Sequence, residues 1–180
     1  MVNISSPLRG LGAVQLFVPC FVDQLYPGVA FNMAKVLEKA SNLQVSTSIF
    51  SKEDLNKGKV LPEINKFHPD LIVLAGFLLK FPEDIIAEYP NKIVNIHPAL
   101  LPKYGGKGMY GMNVHRTVLE NKDSHSGISI HFVNENYDEG AMIFQAQVEV
   151  NDCKTAEEIA VKVQELEHIH FPHIIEKLMK

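Results

Sequence analysis

Asn95 and His97 stand two residues apart in the segment VNIHPALLP, which covers residues 94–102. In an extended strand, residues two apart point to the same face, so an amide that can donate hydrogen bonds and an imidazole that can move protons should lie side by side. Pro98 has no N–H to donate, and the strand is therefore expected to end there. Ligands of open α/β sheets bind at such strand ends. The alternative interpretation is a strand end with two polar side chains and no function.

Four further polar residues are candidates for chemistry, and each also has an ordinary structural explanation. Asp138 lies in an Asp-Glu-Gly sequence, which is typical of a turn. His131 falls on the polar side of the alternating run 127–133 and could be a partly exposed strand residue. Gln164 and Glu167 are three residues apart on one helix face, where solvated polar residues are common.

The elements that must position these residues alternate between strands and helices. Residues 71–75 form a continuous apolar run, which predicts a strand buried on both faces. The pattern predicts further strands at residues 2–4, 45–50, 93–96, 127–133 and 142–150. Helices are predicted near Ser51, from Pro62, from Pro82 and over 113–120, and a long one follows the capping sequence that begins at Thr155. This alternation indicates a mostly parallel sheet covered by helices.

Length and composition favour one globular domain over residues 1–180. The hydrophobic fraction of 46% is enough for a sizeable core. The net charge of −4 does not indicate binding to nucleic acid or to an anionic membrane. The longest apolar runs are too short to span a bilayer. Cys20 and Cys153 are isolated, which fits a reducing cytoplasm, and no histidine spacing predicts a metal site.

Five segments in order resemble the folate-dependent formyltransferase family. They are DLIVLAGF at 70–77, NIHPALLPKY at 95–104, GISIHFV at 127–133, YDEG at 137–140 and VQELEH at 163–168. The likeness covers about residues 34–180. It implies a Rossmann-like α/β fold with a mostly parallel central sheet and helices on both faces.

The resemblance also implies an activity, which is transfer of a formyl group from 10-formyltetrahydrofolate to the amine of 5-phosphoribosylglycinamide in de novo purine biosynthesis. Asn95, His97 and Asp138 match the catalytic residues of the family. An oxyanion develops as the amine attacks, and the Asn95 amide with a protonated His97 would stabilise this tetrahedral intermediate. Asp138 would orient the ring and favour the imidazolium. The reaction needs no metal.

The resemblance assigns two further groups of residues to the substrates. Those expected around the pterin of the folate are Phe77, Leu78, Leu79, Val133, Asn134 and Tyr137. Those expected around the acceptor are Pro98, His131, Gln164 and Glu167, with the Glu167 carboxylate near the amine.

Residues 1–33 depart from the family pattern. Where relatives carry Gly-Ser-Gly-Ser/Thr-Asn for the ribose phosphate, residues 9–13 read RGLGA. Gly10 and Gly12 could still offer N–H groups to a phosphate, provided that a helix begins directly after them at residues 14–17. We therefore expect weak binding of the phosphate, unless Lys103 or Lys107 binds it.

Two other functions remain open at this point. One is a related formyltransferase, or a hydrolase of formyltetrahydrofolate, with a different acceptor. The other is a degenerate folate-binding domain without activity, which the intact set of Asn95, His97 and Asp138 disfavours. A nicotinamide-binding protein is disfavoured because no strand leads into a G-x-G-x-x-G sequence with a following acidic residue.

Overall fold

The computed structural model describes residues 2–4, 14–17, 45–47 and 50–180, and for the first three ranges it describes the backbone alone. The chain divides into two compact units, which are residues 1–94 with 179–180 and residues 95–178. Each unit is described by itself below. That the whole chain is a single domain stays a prediction.

The first unit contains four described strands in the order β3-β1-β2-β4. Strand β1 (Val2–Ile4) pairs antiparallel with both β2 (Val14–Phe17) and β3 (Val45–Thr47), whereas β2 runs parallel to β4 (Leu71–Ala75). The helix at residues 14–17 that was the condition for phosphate binding is not formed, because this apolar segment pairs along β4. Gly10 and Gly12 themselves lie outside the described residues. Phosphate binding by these two glycines required a helix that begins directly after them, and the structure has a strand at that position.

Three short helices follow the predicted start signals in this unit. Helix α1 (Lys52–Asn56) begins with a reciprocal cap, in which Ser51 Oγ accepts from the Asp54 N–H and Asp54 Oδ2 accepts from the Ser51 N–H, both at 3.1 Å. Helix α2 (Val60–Asn65) starts two residues before the predicted Pro62, and α3 (Glu83–Glu88) starts directly after Pro82. The first four of the five residues of β4, Leu71 to Leu74, are buried, so this strand is covered on both faces, as the apolar run predicted.

The second unit begins at Asn95, within strand β5 (Ile93–His97). It also contains two further strands and two helices, which are α4 (Met112–Glu120), β6 (His125–Phe132), β7 (Met142–Glu149) and α5 (Ala156–Leu178). The strand order is β5-β6-β7, and β6 pairs antiparallel with β7. The register shifts between Ile130 and His131, where a bulge changes the direction of the side chains that follow. The α/β class predicted from the sequence is confirmed.

Helix α5 packs one apolar stripe into the core of the second unit. The Thr155 cap holds its first turn, since Thr155 Oγ1 accepts from the Glu158 N–H at 3.2 Å. Ile159 and Val163 are each 1% exposed and join Ile128 and Ile130 of β6 in one hydrophobic cluster. Further along, the stripe continues through His170, whose ring lies 4.9 Å from that of Phe144, while Ile169 is exposed.

A buried hydroxyl fixes the segment that follows β5. Ser129 Oγ accepts from the Leu101 N–H at 2.9 Å and donates to the Ala99 carbonyl at 2.6 Å. Gln145 Nε2 donates to the same hydroxyl at 2.8 Å and to the Leu101 carbonyl at 2.9 Å. Because Ser129 is fully buried, these bonds hold the chain after His97 against β6 and β7. Among the described residues, no helix has the length and apolar character needed to cross a membrane.

Removing a core side chain of the second unit should cost far more stability than removing an exposed one of the same type. Ile130 is 0% exposed and Ile169 is 56% exposed. We expect Ile130→Ala to lower the free energy of unfolding by about 2–5 kcal/mol, since it leaves a cavity. Ile169→Ala should change it by less than about 0.5 kcal/mol. Denaturant unfolding of both variants measures this, and equal losses would contradict the packing described here.

Candidate active site

Three polar side chains of the second unit form a cluster with the carboxylate of Asp138. His97 Nδ1 and His131 Nε2 each lie 3.6 Å from Asp138 Oδ1. The Asn95 amide nitrogen lies 3.2 Å from His131 Nε2. His97 and His131 are only 4% and 2% exposed, and Asn95 is half-buried. The structure thus brings together the three residues predicted to be catalytic and adds His131 as the link between Asn95 and Asp138.

The backbone after β5 determines how the His97 ring is protonated. His97 Nε2 donates to the Tyr104 carbonyl at 2.8 Å, because a carbonyl oxygen can only accept. In the neutral ring the proton is therefore on Nε2, and the lone pair of Nδ1 faces Asp138. His97 is in this way held between a fixed acceptor on one side and a carboxylate on the other.

The glycine-rich loop at residues 105–111 holds the other oxygen of Asp138. Asp138 Oδ2 accepts from the Gly106 N–H at 2.8 Å. A Cβ at Gly105 would lie 3.2 Å from Asp138 Cβ and 2.7 Å from the Leu101 side chain. A residue with a side chain at position 105 would therefore push the loop away from the carboxylate.

Both residues whose oxygens face the His97 ring have left-handed backbone conformations. The φ angle is +57° at Asp138 and +62° at Tyr104. Such a conformation costs about 1–2 kcal/mol for a residue other than glycine and persists only where neighbours enforce it. For Tyr104 the enforcing contacts are hydrogen bonds of its hydroxyl with Asp123 Oδ2 at 2.6 Å and Asn121 Nδ2 at 2.7 Å.

The electrostatics of the cluster determine its charge before substrates bind. Burial lowers the pKa of His97, and the opposing effects of Asp138 and the Tyr104 carbonyl do not restore its ordinary value. For Asp138, burial alone would raise the pKa. The neighbouring His131 and His97 rings and the Gly106 N–H outweigh burial, and the pKa lies below its usual range. At neutral pH, before substrates bind, the cluster therefore holds a carboxylate and a neutral His97, and the imidazolium expected during the reaction stays a prediction.

A fourth residue, His115 on α4, lies close enough to interact electrostatically with His97. It is 6% exposed, and its Nδ1 has no hydrogen-bond partner within the described part of the chain. Burial, together with the positive charge that His97 can carry, lowers the pKa of His115 to about 4. His115 is thus a buried neutral imidazole behind His97, and its position in the sequence alone did not indicate this.

Helix α5 carries a carboxylic acid without a counter-ion. Glu167 is half-buried, and burial raises its pKa to about 7. It has neither a hydrogen bond nor an ion pair among the described residues, and Gln164, one helical turn earlier, is exposed. A carboxylate that burial keeps partly protonated is a candidate partner for a basic ligand. The acceptor role predicted for both residues stays a prediction.

The remaining predicted binding residues are distributed over both units. In the first unit, Phe77, Leu78 and Leu79 follow β4, and the Phe77 ring packs edge-on against the buried Phe81 at 5.3 Å. In the second unit, the segment that leads from β6 to Asp138 contains Val133, Asn134 and Tyr137, and Pro98 directly follows β5. Their contacts with substrates stay predictions.

The two lysines proposed for a phosphate differ in their surroundings. Lys103 Nζ lies 2.7 and 2.8 Å from the two oxygens of Asp123, so its charge is already paired. Lys107 is exposed and has no partner within residues 50–180. It directly follows Gly106, whose N–H holds Asp138. No group of three or more His, Cys, Asp or Glu side chains in the described residues is arranged to hold a metal ion.

The low pKa of His115 makes stability depend on pH. Its pKa is about 4 in the folded protein against an ordinary value of 6.5, so below pH 6.5 the unfolded chain binds a proton that the folded chain does not. This contribution to stability is complete above pH 6.5 and is lost as the pH falls toward 4. We expect His115→Gln to flatten the decline in unfolding free energy between pH 7 and 4. The exposed His125→Gln should keep the decline of the original protein, and identical profiles for the two variants would contradict the burial of His115.

Comparisons with known proteins identify the family of the chain. The sequence model of the formyl transferase family matches residues 29–175. The chain is 41% identical over 123 residues to the chloroplastic phosphoribosylglycinamide formyltransferase of Arabidopsis thaliana, an alignment that covers 68% of this chain and 42% of that protein. It is 35% identical over 144 residues to the phosphoribosylglycinamide formyltransferase of Escherichia coli, which covers 77% of this chain and 66% of that one.

Among solved structures, glycinamide ribonucleotide transformylase 1 from Geobacillus kaustophilus is 29% identical, with a TM-score of 0.68 over 82% of this chain and 78% of that chain. The chain spans less than half the length of the Arabidopsis relative and about two thirds of the Escherichia coli one. The family match covers most of the chain and includes every residue of the cluster around Asp138. The chain therefore belongs to the formyl transferase family.

Proposed function

We propose that this chain transfers a formyl group from 10-formyltetrahydrofolate to the amine of 5-phosphoribosylglycinamide. The observation that carries the proposal is the cluster in which His97 and His131 face the Asp138 carboxylate and Asn95 contacts His131, in a chain of the formyl transferase family. Relatives that match more than two thirds of this chain are named for this reaction.

The cluster suits a substrate that brings protons on nitrogen. Asp138 Oδ1 accepts no hydrogen bond from the described residues, and the lone pair of His97 Nδ1 faces it at 3.6 Å. Two acceptors that face one another without a proton between them are unfavourable in a buried site. An amine N–H placed beside Oδ1 and Nδ1 would satisfy both, which is why an amine acceptor fits here.

The same pair can take the proton that the amine must lose. The carboxylate of Asp138 and the neutral Nδ1 of His97 are both bases at neutral pH, because the pKa of each lies below its ordinary value. When His97 takes the proton, its Nε2–H stays on the Tyr104 carbonyl, and its new Nδ1–H points at Asp138. The imidazolium is then stabilised by the carboxylate, and the proton can pass on to the folate nitrogen that leaves.

Asn95 supplies a hydrogen-bond donor for the oxygen on which charge develops. Bound 10-formyltetrahydrofolate would supply the activated formyl carbon. The Asn95 amide is held by its contact with His131, and a donor fixed in advance lowers the barrier more than one that must reorient. Removal of one such donor costs about 2.7–4 kcal/mol of barrier in other acyl-transfer enzymes.

The remaining predicted residues complete the substrate contacts. We assign the pterin to Phe77, Leu78 and Leu79 with Val133, Asn134 and Tyr137, following the family resemblance. Glu167 suits the ammonium form of the acceptor, since its uncompensated carboxylate would gain a counter-ion. For the phosphate, Lys107 is the better of the two lysine candidates because Lys103 is paired with Asp123.

A transfer assay with matched variants tests this function. The protein is mixed with 10-formyltetrahydrofolate, with and without phosphoribosylglycinamide, and the formylated amine and free tetrahydrofolate are quantified. We expect formylated amine, and we expect Asp138→Asn and His97→Ala to lower kcat by about 10²–10⁴-fold. Glu139→Gln is the control, because Glu139 is exposed and adjacent to Asp138.

Three results would count against the proposal. Folate release at the same rate without the amine would indicate a hydrolase. Absence of turnover in a folded sample that binds folate would indicate a binding domain. Near-normal turnover by Asp138→Asn would place the chemistry outside this cluster. Asparagine tolerates the left-handed conformation of residue 138, so a loss in that variant reports on charge more than on backbone strain.

A further inference from the structure

His131 makes contacts with three groups that impose different requirements on its ring. Its Nδ1 lies 2.8 Å from the carbonyl of Phe132, its Nε2 lies 3.2 Å from the Asn95 amide nitrogen, and the same Nε2 lies 3.6 Å from Asp138 Oδ1. The ring is 2% exposed and follows the bulge that shifts the β6–β7 register. Water therefore has little access to exchange these partners.

The contact with the Phe132 carbonyl determines the tautomer. A carbonyl oxygen can only accept, so His131 Nδ1 must carry a proton. In the neutral ring Nε2 then has no proton and presents a lone pair. This lone pair can accept from Asn95, but it cannot donate to Asp138.

The tautomer of His131 in turn determines how the Asn95 amide is turned. An asparagine side chain ends in an oxygen and an NH₂ group of nearly the same shape, and only its hydrogen bonds decide between the two orientations. With a lone pair on His131 Nε2, the NH₂ group must face the ring, because the amide oxygen would repel it. The second N–H of that same group then stays available for a substrate oxygen.

A close backbone contact keeps the Phe132 carbonyl in place. A Cβ at Gly140 would lie 1.7 Å from the Phe132 oxygen and 3.5 Å from His131 Nδ1. The Phe132 N–H also donates to the Ala141 carbonyl at 2.9 Å. The carbonyl that sets the tautomer thus packs closely against Gly140, and the residue that carries it is paired with Ala141.

We propose that His131 is a positioning residue, which stays in its Nδ1–H form and accepts a hydrogen bond from Asn95, so that the Asn95 NH₂ group is aimed at the reacting formyl oxygen. The catalytic consequence rests on the proposed formyl transfer, whereas the tautomer and the amide orientation do not. This role differs from direct contact with the acceptor, which the sequence comparison suggested for His131.

The arrangement also gives His97 and His131 different roles. Both rings have a lone pair near Asp138 Oδ1, so both could compete for the proton that the amine releases. The lone pair of His131 is already occupied by the Asn95 N–H, whereas that of His97 Nδ1 is not. The proton therefore goes to the pair formed by His97 and Asp138, and Asn95 keeps its orientation while the proton moves.

Nitrogen NMR of the histidine rings tests the tautomer directly in the whole protein. In a ¹⁵N-histidine-labelled sample at the pH of the assay, His131 is assigned by its absence in His131→Gln. We expect a protonated, pyrrole-type Nδ1 and an unprotonated, pyridine-type Nε2. A ring protonated at Nε2, either as the other tautomer or as an imidazolium, would overturn the proposal, and this measurement does not depend on activity.

Two substitutions separate the acceptor function from the bulk of the ring. His131→Leu removes the acceptor, and His131→Gln restores one, because a glutamine oxygen reaches about as far as Nε2. We expect His131→Leu to lower kcat by about 10–100-fold with little change in KM for either substrate, since the lost interaction acts in the transition state. His131→Gln should recover most of that loss. His125→Leu and His125→Gln, on the exposed start of the same strand, are the controls and should leave kcat unchanged.

Each outcome bears on a different claim. Equal losses in the leucine and glutamine variants would overturn the positioning role, because they would show that another property of the ring is needed. Normal kcat in His131→Leu would overturn it as well. If the unaltered protein transfers no formyl group, the proposed function fails, and the NMR result still decides whether His131 sets the orientation of Asn95.

Discussion

The buried carboxylate of Asp138 is the group on which the rest of the site depends. A carboxylate in such surroundings is unfavourable unless donors or positive charge compensate it. Here the donor is the Gly106 N–H on Oδ2, while His97 of β5 and His131 of β6 lie 3.6 Å from Oδ1 and compensate the charge only when the nitrogen that faces it carries a proton. The glycine loop, two strands and the turn at residue 138 are therefore tied together by one side chain. The pKa of the Asp138 carboxyl lies below its usual range despite this burial.

The site requires strained backbone conformations, which contacts with surrounding residues stabilise. Tyr104 and Asp138 have left-handed backbones, and each presents an oxygen to the His97 ring. Side chains away from the chemistry hold these strained positions. Asp123 binds the Tyr104 hydroxyl, and the buried Ser129 hydroxyl ties down the chain between β5 and Tyr104. A site that must be rigid before substrate arrives is expected to depend on such supporting contacts.

Periodicity and local signals were enough to predict much of the second unit. The Asn95–His97 spacing placed both residues on one strand face, and the capping sequence at Thr155 predicted helix α5. The lowered pKa of His97 could not be predicted from the sequence, because it depends on burial by residues distant in the sequence.

Other features need partners that no local pattern reveals. Residues 14–17 are apolar and suit either a helix or a strand, and pairing with β4 makes them a strand. His131 looked like a partly exposed strand residue, yet it is buried, because the strand is covered on both faces. The Tyr104 carbonyl that orients His97 is a backbone group, and its role could not be read from residue type.

The most direct measurement is a crystal structure with phosphoribosylglycinamide and a stable folate analogue whose carbonyl stands in for the formyl group. We expect the acceptor nitrogen within about 3 Å of Asp138 Oδ1 or His97 Nδ1. We also expect the analogue carbonyl oxygen within about 3 Å of the Asn95 amide nitrogen. An acceptor nitrogen bound elsewhere, with the Asn95 amide turned to present its oxygen to the carbonyl, would contradict both expectations.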